Sequence, residues 1–502
     1  MGPAPSPSGG SSIGATHPQP PARPAEPHRL AVNFLFLSAG EFTAKLLTFA
    51  CFTYLARTLG PTAYGAIEFT LAVMVFFTMP ADLGLGTYGA REIARHPADA
   101  RRLLREITGL RLVLSLCSML LLAVFILLLR KSLEQKILLA LYGVSLLGTP
   151  FMLGWFFQAH DRMRWVAAAS IMRQAGFTLL VFLACRPGFP LPYIGLIECA
   201  SVFAMAAFCI YVVGRRMGFA WPRPDLGFIR LMGHIREALP IGLSELAWAF
   251  MWYFCTVLLG FLSPDQSLGW FGASHRAIMA LHTFVFLYFF NLLPSISRCM
   301  PLAPAHLLEL MDNSLRFTAW TGLFAAALLT ALAPQLLTLI YGPSFRGGAQ
   351  AFAVLSWMLP IAMLSGHHRY ILIAYNRQKL LLLCTSIAAA IAVLLAFALI
   401  PWRRDVGAAW ALLIANVVNF ALVYFSVRQS VVEVPVHRQV AAPLAALALA
   451  GACFLAVAKW NVWYAAAAAT AVYMGGLIWF DGAKLVSFVR TILRGNAAAA
   501  VR

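Results

Sequence analysis

The sequence predicts an all-α polytopic membrane protein with about fourteen transmembrane helices: two six-helix lobes related by a pseudo-two-fold along the membrane normal, plus two C-terminal helices. Three observations lead there. The chain is 61% hydrophobic and 11% charged, with a mean hydropathy of +0.78, whereas a soluble globular domain carries about 45–50% apolar and 25% charged residues. Its apolar residues fall into fourteen runs, most near the ~20 residues that cross a bilayer. Its two halves echo each other at a 204-residue offset: Glu41, Cys51 and Gly65 return as Glu245, Cys255 and Gly269, and Gly60-Pro61 is answered by Ser263-Pro264 with a slip of one residue.

In chain order, residues 1–30 are rich in Pro, Ser, Gly and Ala without an apolar period, which predicts a disordered tail and not a secretory signal. Six segments follow within residues 31–213, at 32–55, 64–84, 107–129, 137–157, 165–185 and 192–213. A basic linker, 214–237, leads to six more within 238–427, at 238–262, 268–292, 317–340, 350–373, 380–400 and 406–427. Residues 428–502 hold two unpartnered segments, 440–458 and 462–480, which read as an appendage, and a polar end. A further echo links Ala159-His160-Asp161-Arg162 to Ala374-Tyr375-Asn376-Arg377. Pro80, Pro150, Pro240, Pro334 and Pro360 fall inside segments, where each removes a backbone hydrogen bond and predicts a kink or a hinge.

The formal charge of +19 suggests nucleic acid in a soluble protein, but here the basic residues lie mainly in short loops. With the N-terminus inside, 24 Lys and Arg fall in the inner loops and tails, 9 in the outer loops and 5 at membrane depth. Both termini are therefore expected in the cytoplasm. Six spans per repeat is an even number, so the halves enter the membrane in the same direction, as parallel repeats do. The nine Cys are scattered without a CxxC and read as small hydrophobes, so no metal site and no cofactor is expected.

A charge at membrane depth costs at least about 2.5–3.5 kcal/mol on insertion scales, so it usually faces protein or a wet cavity. Lys45 is either a cavity cation or the partner of Glu41, four residues earlier in the favourable helical order. Arg173 is either a cavity cation or an inner-interface residue that snorkels. Arg276 reads as a cavity cation able to hold phosphate through its bidentate fork. His275 and His282 share a helical face and read as packing or as proton-coupling groups. Glu41 and Glu245 are repeat-related acids that could hold a coupling ion or pair locally. Glu198 has no cation near it in sequence, and Arg111 and Arg369 are expected at interfaces.

Four stretches resemble bacterial polysaccharide (O-antigen-type) flippases, of the superfamily that also holds the multidrug and toxin extrusion transporters and the lipid II flippase. They are Ala56-Arg57-Thr58-Leu59-Gly60-Pro61 through Tyr64-Gly65; residues 336–342 followed by Pro343-Ser344-Phe345; Tyr375-Asn376-Arg377-Gln378-Lys379; and Ile400-Pro401 with Gly407-Ala408-Ala409. The resemblance covers about residues 30–480. It implies two six-helix lobes facing a central cavity in a bacterial inner membrane. The implied activity is non-enzymatic: an undecaprenyl-diphosphate-linked oligosaccharide moves from the inner to the outer leaflet by alternating access. Lys45, Arg173 and Arg276 are the expected substrate-binding residues, with the lipid-linked oligosaccharide and membrane lipid as partners; no partner polymerase is identified. A multidrug or cation antiporter would need an acid-lined cavity. A membrane glycosyltransferase or ligase would need carboxylates in a pattern such as Asp-x-Asp, or a long outer loop, and the sequence offers neither.

Overall fold

A computed structural model describes residues 27–219, 228–299 and 304–500, and among them every regular element is helical. Residues 1–26 of the expected tail and 220–227 of the expected linker lie outside the described residues. From Phe228 the linker is already helix.

The first helix, α1 (Pro27–Asp82), is two spans in one. Its backbone breaks at Gly60 (φ 76°, ψ 172°), a conformation open essentially only to glycine, and Pro61 begins the return. A straight helix would hold Phe52 and Glu68 about 24 Å apart, yet both touch Arg276. The 53-residue helix α14 (Gln378–Ser430) folds back in the same way at Arg404 (φ 48°), bringing Cys384 Sγ within 3.4 Å of Ser426 Oγ. The motif at residues 400–409 is this hairpin.

Between them run α2 (Leu85–Arg95), α3 (Ala100–Leu128), α4 (Leu133–Val144), α5 (Gly154–Ala159), α6 (Met163–Ala184), α7 (Pro192–Tyr211), α8 (Phe228–Leu262), α9 (Asp265–Cys299), α10 (Pro304–Ala331), α11 (Ala333–Tyr341), α12 (Ala349–Ser356) and α13 (Met358–Ala374). After α14 come α15 (Val436–Val457) and α16 (Val462–Ala500). Ten helices are long and apolar enough to cross a membrane, and α10 with α11 forms one further span bent by 77°. Counting α1 and α14 as two spans each, and including the 35-residue α9, the described residues hold fourteen membrane-length segments.

The prolines act at breaks more than inside smooth helices. Pro150 sits in the 3-10 turn between α4 and α5, and Pro334 opens α11 just past the 77° bend. Pro360 lies in the first turn of α13, where the missing N–H is not needed. Pro80 and Pro240 remain inside α1 and α8.

The repeat is visible in the packing. A Cβ on Gly65 would lie 1.9 Å from the Asp265 carbonyl oxygen, and a Cβ on Gly269 would lie 1.9 Å from that of Pro61. These contacts exchange under the 204-residue offset, the mark of an isologous interface around a pseudo-two-fold. The second echo is also structural. Asp161 (φ 55°) and Asn376 (φ 56°) both adopt the left-handed conformation that Asp and Asn tolerate, and Arg162 N–H→Phe157 O (2.9 Å) matches Arg377 N–H→Leu372 O (2.8 Å).

The lobes share one core at the Gly60 end, where Phe52, Ile67 and Phe69 pack with Cys255, Phe271 and Phe345. At the Asp82 end the core divides in two, one part around Ile107 and Phe156, onto which Ala238 and Ile241 of α8 pack from the other lobe, and one around Leu307 and Ile371. The last two helices are not a loose appendage. In a polar network Arg316 donates to Asp312 (2.9 Å) and Asp481, Gln439 donates to Asp312, and Trp320 Nε1 donates to Asp481 (2.9 Å), tying α15 and α16 to α10.

Candidate functional site

A polar cavity of about 160 Å³ opens in the N-terminal lobe between α1, α6 and α7, lined by Glu41, Lys45, Thr48, Ser170, Arg173 and Gln174. Its floor is apolar, from Met152 and Met205. The first half of α1 brings Glu41, Lys45 and Thr48 to one face at three- and four-residue spacing.

The expected Glu41–Lys45 pair is not formed. Glu41 accepts from the Ser170 hydroxyl at 3.5 Å, while Lys45 is exposed and makes no hydrogen bond or ion pair among the described residues. Arg173 lies in the same cavity and is ion-paired with Glu198 of α7, so the acid without a sequence-local cation finds one across a helix boundary. Donors remain spare beside the pair: the charged Arg173 Nε and the neutral Gln174 Nε2 are buried without partners. An ionised or polar group buried without a partner costs about 1–3 kcal/mol or more, so an acceptor entering here is favoured.

Arg276 stands elsewhere. Its guanidinium contacts Glu68 of α1 at 2.7–2.8 Å and lies 3.6 Å over the Phe52 ring. Arg276 therefore clamps α9 of one lobe to both arms of α1 in the other. Glu68 was not singled out from the sequence, although it is an acid within the second segment, and weighing membrane-depth acids as closely as bases would have found it.

His275 and His282 share a face, since both meet Trp252, at 6.2 and 5.3 Å between ring centroids. His275 is buried with Nε2 unpartnered, stacked on Phe271. Glu245 makes no ion pair among the described residues. Arg111, expected at an interface, is buried and pairs with Asp82 at 2.7 Å.

A second cavity, of about 200 Å³, lies in the other lobe between α8, α13 and α14, and Arg369 lines it. His367, beside it in sequence, is fully buried and shares a 2.7 Å hydrogen bond with Ser314. No group of His, Cys, Asp and Glu that could hold a metal ion occurs among the described residues.

The two ends of the lobe interface differ. At the Gly60 end, Arg57 donates from Nε to Ile340 O (2.7 Å) and also to Leu339 O, capping the C-terminus of α11 from the opposite lobe. Tyr64 meets Phe345 edge-on at 5.9 Å, and Lys131 pairs with Asp265 at 2.7 Å. Two of the sequence motifs thus meet in space. At the Asp82 end Gly84 and Gly242 bring the chains into close backbone contact, and polar pairs surround it: Tyr88 Oη–His234 Nδ1 at 3.0 Å, His234 Nε2–Glu106 at 2.9 Å and Arg91–Glu237 at 3.7 Å.

Comparison with known proteins follows the same lines. Residues 30–300 match the family described as "Polysaccharide biosynthesis protein". The chain is 22% identical over 408 residues to the putative O-antigen transporter of Escherichia coli (strain K12), covering 79% of this chain and 96% of that protein. Among solved structures it resembles the lipid II flippase MurJ in an inward closed conformation, with a TM-score of 0.71, 15% identity and 90% and 100% of the two chains covered. It also resembles an inward-facing MATE family multidrug resistance transporter of the MOP superfamily, with a TM-score of 0.59, 16% identity and 77% and 95% covered.

Proposed function

This chain belongs to the polysaccharide biosynthesis protein family, and from that premise we propose that it is a flippase that carries an undecaprenyl-diphosphate-linked oligosaccharide across the bacterial inner membrane by alternating access. The observation that carries the reading is the cavity of Lys45, Arg173 and Gln174, with its unsatisfied donors at membrane depth. A diphosphate is a multivalent acceptor, and its passage through low dielectric requires fixed positive charge of this kind.

The asymmetric interface supports the cycle. A broad shared core at the Gly60 end, against a narrower contact of α8 on the N-terminal lobe at the Asp82 end, makes a cleft that opens at the Asp82 end by releasing the packing of Ile241-Gly242 on Leu83-Gly84 and a few polar interactions. By the distribution of Lys and Arg, the Asp82 end faces the cytoplasm, where the substrate is made. The outward state requires the reverse: the Arg276–Glu68 clamp and the Arg57 cap release, and the Asp82 end closes. In this reading Arg276 acts on the gate instead of the head group. Glu41 and Glu245, the repeat-related acids outside any ion pair among the described residues, are the groups that could couple an ion to the motion. A cation antiporter would favour acids in the cavity with the arginines turned outward; Arg173 and Arg369 line the cavities instead.

The test is a proteoliposome assay with a fluorescent undecaprenyl-diphosphate-linked oligosaccharide in one leaflet. Protein-dependent exposure of the label to an external quencher is expected, slowed at least tenfold by Lys45→Gln. Wild-type protein that moves a fluorescent cation and never the lipid-linked glycan refutes the proposal.

A further inference from the structure

The cavity in the C-terminal lobe occupies the same place in its repeat as the N-terminal cavity does in the first. Shifting Ala44 of the first cavity by 204 residues gives Trp248 of the second, and shifting Glu41 gives Glu245 beside it. The first cavity is built by α1, the chain before α5, α6 and α7. The second is built by α8, α13 and the two halves of α14, the corresponding spans. The lining differs. Ser244, Trp248, Ser365, Thr385 and Asn419 surround Arg369, which is exposed and makes no hydrogen bond or ion pair among the described residues. Asn419 Oδ1 is buried and also without a partner.

We propose that the cavity between α8, α13 and α14 is a second anion subsite, in which Arg369 takes an anionic group of the substrate head while Asn419 and Trp248 hold the sugar that carries it. An unpaired guanidinium beside an orphan acceptor calls for a ligand with both an oxyanion and a hydroxyl donor. An indole with one apolar face suits the C–H face of a sugar ring. Serine and threonine hydroxyls complete a lining that a lipid tail would not favour. With Lys45 and Arg173 in one lobe and Arg369 in the other, the head group spans the lobe boundary, so its binding energy depends on how far apart the lobes stand. The inference rests on the transport reading above, and it adds a residue and a side of the cleft that the reading does not require. The oxyanion comes either from the lipid diphosphate or from a carboxylated sugar.

Full-length protein in phosphatidylcholine nanodiscs is titrated with undecaprenyl diphosphate and, separately, with a lipid-free oligosaccharide containing glucuronate, using wild type, Arg369→Gln, Arg369→Lys and Lys45→Gln. Removing a charge-assisted hydrogen bond weakens binding about tenfold or more. If Arg369→Gln weakens undecaprenyl diphosphate by that factor and Arg369→Lys weakens it less, the subsite exists and reads the diphosphate. If Arg369→Gln weakens only the glucuronate ligand, the subsite exists and reads the sugar. If Lys45→Gln weakens undecaprenyl diphosphate while Arg369→Gln leaves both ligands unchanged, the subsite is refuted and the transport reading survives. If neither variant changes any affinity, both fall. Should Arg369→Gln fail to yield folded protein, Asn419→Ala and the charge-retaining Arg369→Lys replace it with the same expected ordering.

Discussion

Replacing Glu68 with glutamine should unlatch the Gly60 end of the lobe interface. In wild type the Arg276 guanidinium is held by the Glu68 carboxylate at 2.7–2.8 Å and by the Phe52 ring at 3.6 Å. Glutamine keeps the size and one acceptor but leaves the arginine charge unbalanced. Removing one partner of a buried pair costs about 3–5 kcal/mol. The two side chains keep 10% and 21% exposure, so the lower end of that range, about 3 kcal/mol, applies. Opening the Gly60 end hydrates both groups, so the destabilisation falls on the closed state alone. At 1.4 kcal/mol per tenfold, the closed-to-open ratio falls about 150-fold, and a population of 99:1 becomes about 40:60. Spin labels at Thr62→Cys and Gln266→Cys report it, because these exposed, repeat-related positions stand on opposite lobes at that end. Glu68→Gln should show a long-distance component and Phe52→Leu a smaller one, since that change removes from the latch a cation–π attraction of about 0.5–2 kcal/mol, while the packing it loosens on Phe177 lies within one lobe. That component should be suppressed in the swapped pair Glu68→Arg with Arg276→Glu. Unchanged distance distributions in Glu68→Gln, or a larger effect from Phe52→Leu, would refute the latch.

Three other outcomes follow from the packing. Gly65→Ala and Gly269→Ala should destabilise the protein to similar extents, by about 1–3 kcal/mol or more, because each added methyl meets a backbone carbonyl that has no side-chain freedom to yield; melting of detergent-solubilised protein would show the paired decrease. Asp481→Ala should cost about 1–3 kcal/mol by leaving the Trp320 indole without an acceptor and Arg316 with Asp312 alone, and hydrogen exchange should accelerate in α15 and α16 while α1 stays protected. Asp405, at the turn between the two spans of α14, has its carboxyl pushed up to about 6 because burial disfavours its charge. Its neutral form is the folded one, so the contribution is fully present below about pH 4 and lost as pH rises through about 6. The thermal stability gained by Asp405→Asn should therefore grow from near zero at pH 4 to at most about 3 kcal/mol above pH 7; a constant difference across that range would contradict it.

The architecture was legible because membrane physics leaves few choices for a chain of this composition. Hydropathy located the spans, and three pairs of residues at one offset foretold the reciprocal contacts of Gly65 and Gly269. Local turn chemistry was equally legible: Asp161 and Asn376 cap their helices identically because the constraint lies within six residues. Pairing was not, since it depends on which faces meet. Glu41 and Lys45 had the right helical spacing, but Glu41 turns to Ser170 of α6. Arg276 found Glu68 at a separation of 208 residues, and Arg173 found Glu198 across 25. Arg369 looked interfacial because it lies five residues from the end of its helix, and only the positions of α8 and α14 turn that end into a cavity wall. The last two segments looked detached because their tie to α10, through Asp312, Arg316 and Asp481, joins acids and a base from distant parts of the chain.

The most direct test is an electron cryomicroscopy structure of the full-length protein saturated with undecaprenyl diphosphate. Phosphate density is expected in the cavity between α1, α6 and α7, within hydrogen-bonding distance of Lys45, Arg173 or Gln174. Phosphate density confined to the lipid-facing surface, with the cavity of α1 and α6 unoccupied by it, would contradict the claim that buried basic groups receive the head group.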